Sequence, residues 1–322
     1  MAIISIDTDL AAEYLQKGEI VAIPTETVYG LAGNAFNNNA VSKIFDAKKR
    51  PYFNPLIVHT NSIDKVFEFA NLAGPALALA QKFWPGPLTL LVPKKDNIPD
   101  LVTAGSPVIA VRIPAHPITL QLLEKIDFPL AAPSANPFGY VSPTTAEHVA
   151  SQLGDVIPFI LDGGPCAVGL ESTIAGFDFA DNLLIYRIGG IPIEELERAT
   201  GKKAVLVNEM DKLPTAPGML KNHYATVTPL LRGNINEMIR NYPPEKTGII
   251  SFKTTYPEVP IYQQMILSHT GDLKEAARNL FAALRKLDTL GLDIILAEEF
   301  PETGLGSAIN DRLKKAESKY QI

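Results

Sequence analysis

Apolar residues fall along this chain in two rhythms. Short runs dense in Val, Ile and Leu, bounded by Gly, Pro or Asp, alternate with stretches whose apolar positions recur every three to four residues. The short runs predict strands at the chain start and at 19–24, 55–59, 88–92, 108–113, 156–161, 183–187, 247–252 and 292–297. The longer rhythm predicts helices over 8–17, 40–49, 74–83, 117–125, 144–153 and 271–290. Thr144 with Glu147 three positions on reads as a capping box opening the fifth of these. Pro85-Gly86-Pro87 stops the third helix and aims the chain into a strand. Strand, helix and strand in succession after residue 246 predict a parallel sheet there. Between the two series, Leu213-Pro214-Thr215-Ala216-Pro217-Gly218-Met219 has no apolar period. That gap divides an α/β chain into a domain of residues 1–206, a linker over 207–230 and a second αβ domain over 231–322.

Composition narrows the class. The 322 residues, 46% hydrophobic and 20% charged, suffice for a sizeable core and favour two domains over one. The 26 prolines are scattered, which argues for many rigid turns and against disorder. Cys166 is the single cysteine, so a disulfide-stapled scaffold is excluded and a reducing cytoplasm is the expected compartment. No apolar run approaches the roughly 18 residues of a membrane span, and the start lacks a basic stretch, so neither a membrane nor a signal peptide is expected. Residues 231–322 carry 12 basic and 12 acidic side chains, so the net charge of −6 resides wholly in the first part. That acidity weighs against a chain that lives on nucleic acid, because phosphate neutralisation needs clustered Lys and Arg.

The common signatures of chemistry are missing. There is no Gly-x-x-x-x-Gly-Lys-Ser/Thr loop, no Gly-x-Gly-x-x-Gly between strand and helix, and no Gly-x-Ser-x-Gly elbow. The five histidines never fall three or four apart, and one cysteine builds no zinc site, so no metal site is expected.

What remains is a series of polar residues at strand ends. Pro24-Thr25-Glu26-Thr27-Val28-Tyr29-Gly30 follows an apolar strand and suits either a ligand crevice or a solvated turn. Lys48, Arg50 and Asn54 lie where a helix ends and a Pro-bounded loop begins, with His59 closing the next strand. Lys48 alone would serve as a helix-dipole complement, but the planar fork of Arg50 matches phosphate or carboxylate oxygens. Arg112 is embedded in an apolar strand and must find an anion, either a structural carboxylate or a ligand. Ala131-Ala132-Pro133-Ser134-Ala135-Asn136 permits close backbone approach and supplies neutral donors, as does Ser142. Glu171-Ser172-Thr173-Ile174 and Arg187-Ile188-Gly189-Gly190 complete the series.

Taken in this order, the segments resemble the threonylcarbamoyl-AMP synthase (YrdC-like) family in its two-domain form. The resemblance rests on the Pro24–Gly30 run, Lys48-x-Arg50, Ser134-x-Asn136, Glu171-Ser172-Thr173-Ile174, and Pro217-Gly218-Met219 with His223-Tyr224-Ala225 in the linker. It spans residues from about 10 to 226, and the last ninety or so follow only in length and αβ pattern. The chain departs from the family in Thr226 and Ile188, both at positions where proline is usual.

The resemblance implies a YrdC-like twisted, mixed α/β sheet domain joined to a smaller Rossmann-like αβ domain. It implies an adenylyl-transferring enzyme that converts L-threonine, bicarbonate and ATP into threonylcarbamoyl-AMP and pyrophosphate. The product would pass to a tRNA threonylcarbamoyl transferase for N6-threonylcarbamoyladenosine, with no direct tRNA binding expected. Carried over by position, Thr27, His59, Arg112, Ala132 and Ser172 would surround threonine. Lys48, Arg50, Asn54, Val108, Ser134, Asn136, Ser142, Arg187 and Tyr224 would bind ATP, with Lys48 and Arg50 catalytic and Tyr224 closing the pocket from a lid-like linker. Mg²⁺ would be carried in with ATP, and no tightly bound cofactor is expected. Three other readings stand beside this one: a hydrogenase-maturation carbamoyl transferase, an RNA-binding module, and an ATP- or threonine-sensing module without turnover. The first would carry an acylphosphatase-like segment and zinc-binding cysteines, and neither is present.

Overall fold

The computed structural model describes residues 1–207 and 224–317. Linker residues 213–219 and His223 lie outside the described residues. Among the described residues the strands of the first sheet are β1 (Ile3–Ser5), β2 (Val21–Ile23), β3 (Gly30–Asn34), β4 (Ile57–His59), β5 (Leu88–Pro93), β6 (Val108–Arg112), β7 (Leu130–Ala131), β8 (Phe159–Leu161), β9 (Thr173–Phe177), β10 (Leu183–Arg187) and β11 (Ala204–Leu206). They lie in the order β1-β8-β2-β3-β7-β4-β6-β5-β9-β10-β11. The sheet is mixed: β4 runs parallel to β6, β5 to β9 and β2 to β8, while β2–β3, β3–β7, β4–β7, β5–β6 and β9–β10 are antiparallel.

The second sheet holds β12 (Leu230–Arg232), β13 (Thr247–Ser251), β14 (Gln264–Ile266) and β15 (Ile294–Ala297) in the order β12-β15-β13-β14. All its pairings are parallel, as the strand–helix–strand succession predicts. The first sheet therefore ends at Leu206 and the second begins at Leu230.

Burial follows the two rhythms. Helices Asn38–Lys48, Ile63–Phe69, Gly74–Phe83 and Ala146–Leu153 set Ile44, Phe45, Phe69, Leu79 and Val149 against the inward residues of β3 to β6. On the opposite face, Thr8–Gln16 and Pro117–Glu124 set Leu15 and Leu122 against Val21, Ile23 and Phe159. The long helix Leu273–Asp288 follows the spacing of its apolar residues and packs Leu280, Phe281 and Leu284 over the second sheet. The same core takes in Val28, Val141 and Leu170 from loops of the first domain, so the long helix also packs against that domain.

Two differences from the sequence expectation have physical causes. Thr144 and Glu147 form no capping box. The N-cap is Thr145, whose hydroxyl accepts from the His148 amide at 3.3 Å, while the Thr144 side chain contacts His148 Nδ1. The strands absent from the pattern are β3, β7, β9, β11, β12 and β14. β3 reads Gly-Leu-Ala-Gly-Asn and β7 spans two residues, so neither carries the β-branched density that marks a strand.

Candidate active site

The mixed directions of the central strands bring several chain ends to one place. A cavity of about 50 Å³ of free space is lined by Thr27, Arg50, His59, Arg112, Ser134 and Ser172, with Arg187, Glu171 and Tyr224 completing its polar wall. Gly30 and Ala132 also line it, their small size letting backbone approach.

The turn after β2 is built by its own hydroxyls. Thr25 Oγ accepts from the amides of Thr27 at 3.1 Å and Val28 at 3.2 Å and contacts Thr27 Oγ at 2.7 Å. This presents Thr27 Oγ to Arg112, which donates to it at 2.8 Å. Arg112 also donates to the Gly86 carbonyl and forms an ion pair of 2.7 Å with Glu26, whose second oxygen accepts from the Ala115 amide. The question left open by the sequence is thus resolved for one side of the guanidinium: Glu26 is its structural anion, and both groups are buried. His59 lies beside Arg112 across the β4–β6 pairing. Burial, then the charge of Arg112, pushes its pKa down to about 3, so its imidazole is neutral at neutral pH. Its Nδ1 is buried without a protein hydrogen-bond partner.

The other wall runs from β9 to β10. Ser172 Oγ meets Thr89 Oγ at 2.7 Å and accepts from Arg187 Nη2 at 3.0 Å, while Arg187 Nε donates to the Ser172 carbonyl. The close approach depends on Gly189, where a Cβ would fall 2.3 Å from the Glu171 carbonyl oxygen. Arg50 donates to the carbonyls of Asn54 and Pro55 and places its guanidinium 5.9 Å from the Phe138 ring centre. Burial first, then repulsion from Arg187, lowers the Arg50 pKa, which signals that two cations share one low-dielectric space.

Not every predicted residue reaches the cavity. Lys48 is buried behind it, donating Nζ to the carbonyls of Ser134 and Asn136, so it holds the Ser134 loop in place. Burial and Arg50 drive its pKa well down. Asn54 is fully buried, and neither side-chain polar atom has a protein partner. Asn136 donates to the carbonyls of Pro137 and Tyr140, and Ser142 donates to Glu171 Oε1 at 2.5 Å. Val108 opens β6, four residues from Arg112 at the other end of the strand, and does not line the cavity.

Tyr224 does line it. The residue has φ +64° and stacks on Phe281 with ring centres 5.6 Å apart. The following turn is held by Thr226, whose buried hydroxyl donates to the Thr228 carbonyl.

Sequence reasoning missed Arg312 and Arg285 of the second domain. Arg312 has no exposed surface and pairs with Glu171 at 2.8 Å. Arg285 donates to the carbonyls of Ser142 and Val141 and to Gln152, and lies 5.1 Å from the Tyr140 ring centre. A signal existed: both arginines sit next to or within the apolar stripe of an amphipathic helix, where an ordinary surface cation does not belong.

Comparison with known proteins adds a second line. A family model described as Telomere recombination (Sua5/YciO/YrdC) matches residues 13–189, and one described as Threonylcarbamoyl-AMP synthase, C-terminal domain, matches residues 191–318. The chain is 42% identical to the threonylcarbamoyl-AMP synthase of Pyrococcus abyssi, over 97% of this chain and 94% of the relative. It is 42% identical to that of Bacillus subtilis, over 95% and 91%. The crystal structure of P. abyssi Sua5 complexed with L-threonine superposes with a TM-score of 0.89, at 37% identity and covering 98% of both chains. The likeness therefore runs through the second domain, beyond the residue near 226 where the sequence motifs stop.

Proposed function

Because the chain belongs to the Sua5/YciO/YrdC family and carries its threonylcarbamoyl-AMP synthase C-terminal domain, we infer that it converts L-threonine, bicarbonate and ATP into threonylcarbamoyl-AMP and pyrophosphate. The observation that carries this reading is the charge of the cavity. Arg50, Arg112 and Arg187 line it together, and the one lining carboxylate among the described residues, Glu171, is already paired with Arg312. Such a space holds anions, and every reactant here is anionic or becomes so.

In this reading bicarbonate takes up a proton and loses water to give CO2. The threonine amine forms a C–N bond to that carbon while releasing one proton to solvent, so that the net change is carbamate plus water. A carbamate oxygen then attacks the α-phosphorus of ATP, and the bond to the bridging oxygen breaks to release pyrophosphate. No side chain needs to move a proton at the phosphorus, so positioning and charge neutralisation do most of the work. Arg112 and neutral His59 hold the threonine carboxylate, with Thr27, Ser172 and the Ala132 backbone around the amine and hydroxyl. Arg50, Ser134 and Arg187 meet the phosphates. Lys48 and Asn136 act one step back by fixing the Ser134 loop.

Tyr224 is the side chain that reaches into the cavity from the linker side. Magnesium enters on the ATP phosphates, and the mixed anhydride product is consumed by an acyl transfer to tRNA made by a separate transferase. Among the described residues no helix is long and apolar enough to cross a membrane.

The test is pyrophosphate release from ATP and Mg²⁺ with L-threonine and bicarbonate each supplied and withheld. Release that needs both is the expected result. Release indifferent to threonine, or none at all, overturns the reading in favour of a related nucleotide chemistry or a sensor.

A further inference from the structure

We propose that Arg312, on the last described helix of the second domain (Leu305–Glu317), is a positioning residue of the active site. Through it the second domain sets both Tyr224 and the Glu171–Ser172 segment. The inference rests on the reading of the cavity as a nucleotide site.

The guanidinium is wholly buried and engages three separate pieces of chain. Nε donates to Glu171 Oε2 at 2.8 Å, Nη2 donates to the Ile188 carbonyl at 2.9 Å, and the carbon centre lies 4.9 Å from the Tyr224 ring centre. Nη1 is left to its neighbour Asp311. Glu171 and Ile188 flank the pair that builds the wall, since Ser172 follows the first and Arg187 precedes the second. Arg312 thus pins both backbones between which Arg187 grips Ser172. On its far side Glu171 accepts the Ser142 hydroxyl, so one carboxylate joins the two domains and the Ser142 loop.

A tie between domains does not need a buried charge. Apolar residues of similar volume often do the same at lower cost, and the apolar cluster shared with Val28, Val141 and Leu170 already supplies them. A cation is needed here for another reason: without it Glu171 would turn an unpaired carboxylate toward a cavity that takes anions. Burial by itself would raise the Glu171 pKa, but Arg312 and then Arg187 outweigh it and keep the carboxylate ionised. The fork geometry also explains the residue type, because a lysine cannot reach a carboxylate and a carbonyl at once while lying flat over a ring. The two domains are close enough for this contact because Gly169 (φ +74°) lies against the long helix, where a Cβ would come within 2.4 Å of Arg278 Cα.

The test uses the full chain with Arg312→Lys, Arg312→Met and the double variant Glu171→Gln/Arg312→Met. Each is assayed for the KM of ATP and of threonine, for binding of a non-hydrolysable ATP analogue by calorimetry, and for melting temperature. Arg312→Met is expected to raise the ATP KM and the analogue Kd about tenfold or more. The threonine KM should rise by a smaller factor than the ATP KM, because Thr27, His59 and Arg112 lie outside the segments that Arg312 pins and only Ser172 is shared. Arg312→Lys should recover only part of the loss. The double variant removes the stranded charge, so its melting temperature should return while its ATP affinity should not.

Full recovery of ATP affinity in the double variant would reduce Arg312 to a structural tie and overturn the proposal. Equal losses for both substrates, or unchanged analogue binding in Arg312→Met, would do so too. A wild-type chain that binds the analogue yet shows no threonine-dependent turnover would sink the functional reading instead, leaving the binding comparison to judge Arg312.

Discussion

The two walls of the cavity are built in different ways. The wall around Arg112 uses Thr25, Glu26 and Thr27 from one turn, with His59 and Arg112 from paired strands of a single sheet. The wall around Tyr224 needs Glu171 and Ser172 before β9, Arg187 at the end of β10, and Arg312 from a helix more than a hundred residues later. The first is complete once one sheet has formed. The second exists only when two domains are docked. A substrate held by the first wall can be bound by a pre-formed site, whereas one held by the second meets a surface that domain docking assembles.

The largest expected effect comes from breaking the first wall. Arg112→Ala removes the cation that pairs with buried Glu26 and orients Thr27. Threonine-dependent pyrophosphate release should vanish while the ATP analogue still binds. Stability should fall by about 3–5 kcal/mol, as expected when a buried ion pair loses one partner. Adding Glu26→Gln should restore much of the stability and none of the threonine dependence. Denaturant unfolding and pyrophosphate assays on the single and double variants check this, and loss of ATP binding alone would contradict the division between walls.

Arg50→Ala sharpens the comparison from the other side. Losing a charge-assisted contact to a phosphate should weaken ATP-analogue binding by about 1.5–3 kcal/mol. Calorimetry should show the threonine-dependent step surviving at saturating ATP. A threonine KM that shifts as much as the ATP affinity would argue that the walls are not separate.

How legible each wall was in the sequence follows from the same contrast. Thr27, His59 and Arg112 announce themselves locally, as polar groups at the ends of apolar runs, and the pattern also predicts β2, β4, β6 and β10 with most of the helices. Ser172 and Arg187 stand out less, and Arg312 only as a cation on an apolar helical stripe, because its partners lie 141 and 124 residues away. Nothing in a local window reveals that a cation on a helical stripe faces a carboxylate in another domain. Lys48 shows the opposite case. Its motif points to the ligand, yet its ammonium holds two loop carbonyls. Val108 gives no local signal of a role and stands at the far end of β6 from Arg112.

Acid should also distinguish the walls, by a smaller margin. His59 titrates at 6.5 ordinarily and at about 3 in the fold, so between those values the unfolded chain binds more protons. Its share of stability is whole above pH 6.5 and is lost progressively as pH falls toward 3. His148, lowered to about 4 by burial and then by Arg285, adds to the same slope from the domain contact. Between pH 6.5 and 5, melting temperature should therefore fall, and His59→Asn should flatten part of that fall. A variant with the wild-type slope would mean that the imidazole is not held neutral.

The smallest effect tests whether the two walls communicate. Thr89 belongs to β5, between the strand that carries Arg112 and the one that follows Ser172, and its buried hydroxyl meets Ser172 Oγ at 2.7 Å. Thr89→Val keeps the shape and removes that hydrogen bond, which should cost about 1 kcal/mol of stability. Ser172 would still accept from Arg187, so ATP affinity should change little. The hydroxyl would nevertheless lose the partner that fixes its rotor on the threonine side, and the threonine KM should rise a few-fold. A rise in the ATP KM instead would show that Ser172 serves the phosphates, moving the boundary between the walls by one residue.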